Sequence, residues 1–211
     1  MMQCPSCGRR LEPQLICPDC GAPVADDLDC FAALGLPRKL TIDLPELERI
    51  YHERSRALHP DRFANQTPPV RRASLLATAL LTRSYRTLRD PVTRGLYWLA
   101  LSGEKLAENN KSVPPDLAEM VFDIQEQLAE LRATKNGARR AAVLERRGEV
   151  QALWDSAHRE LAQNFARQDA AGVGPETRAL AVQLKTVLSK IAYLRTLLRD
   201  IDRELENVKA A

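Results

Sequence analysis

The sequence predicts an all-α protein, and three observations carry that prediction. Aromatic residues make up only 5% of the 211 residues and there are only 9 glycines, while Leu, Ala, Arg and Glu dominate. Those are straight-chain helix formers rather than β-branched strand formers. Apolar residues recur three and four apart over long stretches, and Pro, Gly and Asp punctuate the stretches where helices start and stop. With 45% hydrophobic residues, the chain can fill one core of ordinary size or two small ones side by side. We expect two helical domains and a small appendage. No run approaches the roughly 18 to 20 apolar residues of a membrane span, and the first residues form neither an apolar signal core nor an Arg-rich presequence. The expected address is the cytoplasm, with no membrane partner.

Residues 1–28 are rich in Cys, Pro and Gly and lack helical periodicity, so their order must come from something other than a core. Asp29 to Leu36 makes a short helical piece closed by Gly35 and Pro37. Asp43 followed by Pro45 predicts a capped helix over about 44–58, stopped at His59 because Pro60 lacks an amide proton and disfavours helical geometry before it. After Pro68 and Pro69 a helix runs over about 70–88. Its apolar half-wheel comprises Leu76, Ala77, Leu80, Leu81, Tyr85 and Leu88; Arg71, Arg72, Arg83, Arg86 and Arg89 fill most of the other half, with no acid between 70 and 89. That side is a candidate contact for something acidic. Asp90 caps a shorter helix from Pro91 to about Ser102, carrying Leu96, Trp98, Leu99 and Leu101.

A polar stretch up to Pro115 reads as a connection between domains. Three long helices are predicted beyond it, over about 115–134, 138–168 and 176–208, separated by Asn136-Gly137 and by Gly172-Val173-Gly174-Pro175. Leu180, Leu184, Val187, Ile191, Leu194, Leu198, Ile201, Leu205 and Val208 form a coiled-coil-like seam along the last. Two amphipathic neighbours in the same chain can cover it, so we expect a monomer or a weak dimer.

Four of the five cysteines fall in two pairs, Cys4-x-x-Cys7 and Cys17-x-x-Cys20, each enclosing a proline and followed by a glycine. Such turns aim backbone amides at the two sulfurs, and four thiolates suit tetrahedral zinc in a closed structural site. The alternatives are a redox dithiol or a second metal such as iron, and the lack of a βαβ pattern around them argues against the dithiol. Cys30 is left over as a buried thiol.

His59-Pro60-Asp61 stands between two helices, the second of them basic on its outer face. This arrangement resembles the J-domain, and the flanking residues resemble its HscB-type branch of co-chaperones. Asp29-Cys30-Phe31 through Gly35-Leu36-Pro37, His59-Pro60-Asp61-Arg62-Phe63-Ala64, Tyr85-Arg86-Thr87-Leu88-Arg89-Asp90-Pro91 and Arg94-Gly95-Leu96-Tyr97 carry the likeness. It continues over 116–130 and more loosely through the last helix, and the cysteine segment looks like that of the zinc-bearing members. The resemblance implies a zinc-binding segment at 1–28, a J-domain at 29–104 and a scaffold-binding three-helix bundle at 112–211.

It also implies a function. The chain would raise the ATPase rate of a DnaK/HscA-type chaperone and deliver an IscU-like iron–sulfur cluster scaffold to it, doing no chemistry itself. His59, Pro60 and Asp61, with Arg54, Arg56 and Arg62, would meet the chaperone. Arg49, Arg54 and Arg56 also interleave with Glu46, Glu48 and Glu53 and can simply pair along their helix. Phe122, Asp123, Glu126, Glu130 and Tyr193 would meet the scaffold; residues 122, 126 and 130 fall on one helical stripe, the competing reading being that Phe122 and Tyr193 merely fill the core. The chain departs from the family pattern at Ala118 and Glu119, where a large apolar pair is usual, and at Thr82, Ser84 and Gly95.

Two other functions compete. A zinc-containing nucleic-acid-binding or regulatory helical protein would use the knuckles and the arginine face. However, the cysteine segment carries Arg9 and Arg10 against Glu12, Asp19, Asp26 and Asp27, a balance poorly suited to phosphate, and no nucleic acid is expected. An enzyme is disfavoured because, with only His52, His59 and His158, the spacing assigns no nucleophile, base and orienting group.

Overall fold

The computed structural model describes residues 2–12, 14–24, 28–104, 106, 115–134, 137–171 and 175–209. The fold is all-α, with a helical hairpin unit, a three-helix bundle and a small cysteine-bearing ribbon. The expected interdomain connection and the turns at Asn136 and Gly172 to Gly174 lie wholly or largely outside the described residues. The chain forms two compact units, Met1–Trp98 and Leu99–Ala211.

In the first unit, β1 (Met2–Gln3) pairs antiparallel with β2 (Arg10–Leu11), and Ile16 bridges Pro23. Cys4, Leu11, Cys17, Ala22 and Val24 make a small buried cluster of their own. Helix α1 (Cys30–Leu34) begins at Asp29, whose carboxylate accepts the Phe31 and Ala32 amides at 2.9 Å each, and ends at Gly35 with φ of 65°. A side chain at Gly35 would also run into the Arg54 guanidinium.

Helices α2 (Leu44–Leu58) and α3 (Pro68–Arg89) form an antiparallel hairpin, joined through a short 3-10 turn at Pro60–Phe63. Tyr51 stacks on Tyr85 with ring centroids 4.2 Å apart. Between the helices lie Leu47, Leu58, Ala77, Leu81 and Leu88, packed with Phe31 and Leu34 of α1. Helix α4 (Pro91–Leu101) adds Tyr97 and Trp98 against Phe31, and the Tyr97 hydroxyl accepts the Cys30 amide at 2.9 Å. Burial pushes the Tyr97 phenol up to about 12, so it stays protonated there. Cys30 is buried, as expected.

Leu76 is a correction to the sequence reading: it is 49% exposed, beside Leu75 at 59%. The packed stripe of α3 runs through Val70, Ala73, Ser74, Ala77, Leu81, Ser84, Tyr85 and Leu88. Residue 76 lies about 120° round the helix from the centre of that stripe. Two adjacent leucine pairs mimicked a wider apolar face than the one α3 buries.

Asp29 offers a test of the first unit. Burial alone would raise its carboxyl, but the Ala32 amide, the Arg38 guanidinium at 2.9 Å and the Phe31 amide outweigh that and hold it below its usual range. A depressed carboxylate stabilises the fold above its unfolded value, about 3.9, and that stabilisation is lost as pH falls through the lower folded value. Asp29→Ala is expected to cost about 1 kcal/mol at neutral pH. In thermal unfolding followed at several pH values, the gap to the wild type should close as pH drops below about 4. A gap independent of pH contradicts the assignment.

The second unit consists of α5 (Ala118–Thr134), α6 (Gly137–Ala170) and α7 (Pro175–Lys209), with a 3-10 turn at Pro115–Leu117 leading in. The seam of α7 is buried at Leu180, Leu184, Val187, Ile191, Leu194, Ile201 and Leu205. Leu188 and Leu197 are buried as well, because α7 packs against both α6 and α5 and needs a stripe wider than a two-helix seam. The facing residues include Ile124, Leu128 and Leu131 of α5 and Val150, Leu161 and Phe165 of α6. Among the described residues, no helix is long and apolar enough to cross a membrane.

Candidate functional site

The loop between α2 and α3 is built to hold one carboxylate outward. His59 ends α2 with φ −57° and ψ 130°, a conformation that Pro60 favours in the residue before it. The Asp61 amide donates to His59 Nδ1 at 3.3 Å, and the Arg62 amide donates to the His59 carbonyl at 3.0 Å, so the turn is tied to the histidine on both sides. Acceptance at Nδ1 requires the imidazole to carry its proton on Nε2. The Asp61 side chain is 90% exposed and, among the described residues, meets no Lys or Arg; the His59 ring lies 3.5 Å away.

Two residues of α3 that the sequence reading passed over anchor this loop. Ser74 Oγ and Thr78 Oγ1 donate to the Leu58 carbonyl at 2.7 and 3.1 Å. That carbonyl is one of those an α-helix leaves without an intrahelical partner at its C-terminus. The hydroxyls therefore fix the root of the loop to the hairpin.

The three flanking arginines have separate fates. Arg62 turns back toward the Arg56 carbonyl at 3.5 Å, near the limit of a hydrogen bond, and Arg56 is exposed. Arg54 is half-buried: its guanidinium donates to the Ala33 carbonyl at 3.2 Å, and burial lowers its pKa. Its first role is to seal the end of α1.

At the ribbon, Cys4, Cys7, Cys17 and Cys20 converge, with all four sulfurs within 4.8 Å of one another. The two knuckles repeat the same wiring. Cys4 and Cys17 receive the Gly8 and Gly21 amides on their carbonyls at 3.0 and 2.9 Å, and those glycines have φ of 75° and 68°, which a side chain would resist. The Ser6 amide points at Cys4 Sγ at 3.4 Å. A tetrahedral ion with metal–sulfur bonds of about 2.3 Å sets its sulfurs about 3.8 Å apart. Cys4 to Cys20 spans 3.5 Å and Cys7 to Cys17 spans 3.8 Å, so the four fit a metal ion. Between the knuckles, Leu15 is 1% exposed and belongs to the hairpin core with Phe31, Leu34 and Leu58, and Ile16 packs beside it. The ribbon is thus seated on the hairpin.

On the bundle, Phe122 is 72% exposed, which removes the core reading for that residue. Glu126 is exposed, without an ion pair among the described residues. Asp123 lies 3.9 Å from Arg146, and Glu130 pairs with Arg139 at 2.6 Å, so two of the three carboxylates are already partnered by α6. Tyr193 is half-buried on α7, its phenol raised by burial and by Asp200. Ion pairs Asp116 to Lys190 and Arg132 to Glu204 hold α5 alongside α7, and both Phe122 and Tyr193 fall on the segments between them.

The chain thus carries a hairpin with an outward His-Pro-Asp loop, followed in sequence by a three-helix bundle. No family model matches the chain. Two solved structures carry the comparison: the chain has the fold of human co-chaperone protein HscB, at 24% identity and a TM-score of 0.73, over 95% of this chain and 97% of that one. The chaperone HscB from Vibrio cholerae matches at 22% identity and a TM-score of 0.63, over 86% of this chain and 99% of that one.

Proposed function

We propose that the chain is an HscB-type co-chaperone with the three parts expected from its sequence, at 1–28, 29–104 and 112–211. It stimulates ATP hydrolysis by a DnaK/HscA-type chaperone and presents an IscU-like iron–sulfur scaffold to it. The observation that carries this reading is the outward, unneutralised carboxylate of Asp61 on a loop fixed at its root by Ser74 and Thr78. His59 orients the turn, Pro60 sets its direction, and Arg62 and Arg56 lie beside it. Arg54 acts indirectly, by holding α1 against α2. The chain itself is not an enzyme, and we place it in the cytoplasm. The test is ATP turnover by such a chaperone, which should rise with the chain and rise further with scaffold present. An unchanged turnover contradicts the reading.

For the four cysteines we propose zinc, which would supply folding energy rather than chemistry, since four thiolates leave a tetrahedral ion no open position. For the bundle we propose that Phe122 enters an apolar pocket of the scaffold, with Glu126 beside it and Asp123, Glu130 and Tyr193 bordering the contact. Phe122→Ala is expected to weaken scaffold binding by about 2 kcal/mol, roughly thirtyfold, with little change in thermal stability because the ring is exposed. Isothermal titration checks this, and an affinity within about twofold of wild type removes Phe122 from the contact.

A further inference from the structure

On the co-chaperone reading, we propose that the electrostatic docking surface of this chain is the outer face of α3 rather than α2. It takes a segment of the ATPase chaperone that presents an apolar side chain flanked by carboxylates.

On α2, two of the three arginines are already engaged. Arg49 is held between Glu46 at 2.7 Å and Glu53 at 3.1 Å. Arg54 is turned into the end of α1. Of the α2 arginines, Arg56 alone has no such partner among the described residues. On α3, five arginines occur with no acid in the helix. Arg89 covers the Tyr85 ring at 5.8 Å; Arg71, Arg72, Arg83 and Arg86 are exposed and have no ion pair among the described residues.

The apolar component lies on the same face. Arg72, Leu75, Ala79, Arg83 and Arg86 recur three and four apart, so they form one outward stripe. Leu75 is 59% exposed, and with Thr78, Thr82, Arg83 and Arg86 it lines a groove of about 490 Å³ that reaches Pro60. The groove is therefore continuous with the His59-Pro60-Asp61 loop. An apolar side chain fits over Leu75 and Ala79, and the two guanidinium forks beyond them suit carboxylates. A nucleic acid suits this face less well. The stripe offers no aromatic ring for base stacking, and the Asp61 carboxylate at its end repels phosphate.

The test measures binding of a purified DnaK-type chaperone to the wild-type chain, to Arg83→Glu/Arg86→Glu and to Arg49→Glu, at low and moderate salt. The double reversal should weaken binding about tenfold or more and flatten its salt dependence, while Arg49→Glu stays within about twofold. Both sites are exposed, so folding should persist; Arg83→Gln/Arg86→Gln serves if it does not, with a smaller loss in the same direction. Unchanged binding by the double variant overturns the proposal, as does an equal loss from Arg49→Glu. So does tighter binding of a single-stranded oligonucleotide than of the chaperone. If Asp61→Ala loses stimulation while the α3 variant keeps it, the α3 assignment alone fails. If the wild type neither binds nor stimulates, both readings fall.

Discussion

Asp61→Ala should abolish stimulation of the chaperone's ATPase while leaving the fold intact. The side chain is 90% exposed and contributes nothing to the hairpin core, so thermal stability should change by less than about 0.5 kcal/mol. Its value lies in the complex, where the carboxylate would meet a cationic group on the chaperone that becomes desolvated on docking. Removing one partner of such a pair costs about 2 to 5 kcal/mol, because the other charge is left buried without a counterpart. At about 3 kcal/mol the stimulated rate at sub-saturating chain falls roughly hundredfold. Steady-state ATP hydrolysis by the chaperone, measured with each form of the chain, checks this. A variant as active as the wild type removes Asp61 from the mechanism.

Removing the metal is expected to have the second large effect, on stability rather than on docking. The ribbon's own cluster holds five small or medium side chains, two of them cysteines, too little to order some two dozen residues. Structural zinc bound by four thiolates is worth about 10 to 16 kcal/mol at neutral pH, enough to make ribbon folding and metal binding one event. A strong chelator should therefore unfold 1–24 and leave the helices standing. The hairpin should also soften, because Leu15 leaves the cluster containing Leu58, at a cost of the order of 2 to 5 kcal/mol. Hydrogen exchange with and without chelator reads both effects, and Leu15→Ala with zinc bound isolates the second. Unchanged exchange across the ribbon after metal removal contradicts the metal-dependent fold.

The features legible in the sequence are those whose cause is local. Pro60 ends α2 wherever the rest of the chain lies, Asp43 caps the helix that follows it, and the paired cysteines with Gly8 and Gly21 carry their own turn chemistry. Features that depend on which segments meet in space were not legible. Nothing in a Cys- and Pro-rich stretch marks Leu15 as part of the hairpin core, since a single leucine has no period. Ser74 and Thr78 read as ordinary hydroxyls on a helix until Leu58 is placed against them. Leu76 read as core because its neighbours are apolar, but the face that α1 and α2 cover is narrower than the apolar arc. The partners of Asp123, Glu130 and Arg54 lie on other helices, so the sequence does not show what these side chains touch within the chain.

The most direct measurement of the central claim is single-turnover hydrolysis of ATP bound to a purified DnaK/HscA-type chaperone, alone, with the wild-type chain, and with the chain and an IscU-like scaffold together. The co-chaperone account predicts a rate that rises about tenfold or more with the chain and further with the scaffold. A rate that stays at the chaperone's own value with both present, while the same preparation binds an oligonucleotide in a steeply salt-dependent way, would contradict it and turn the arginine face of α3 toward nucleic acid.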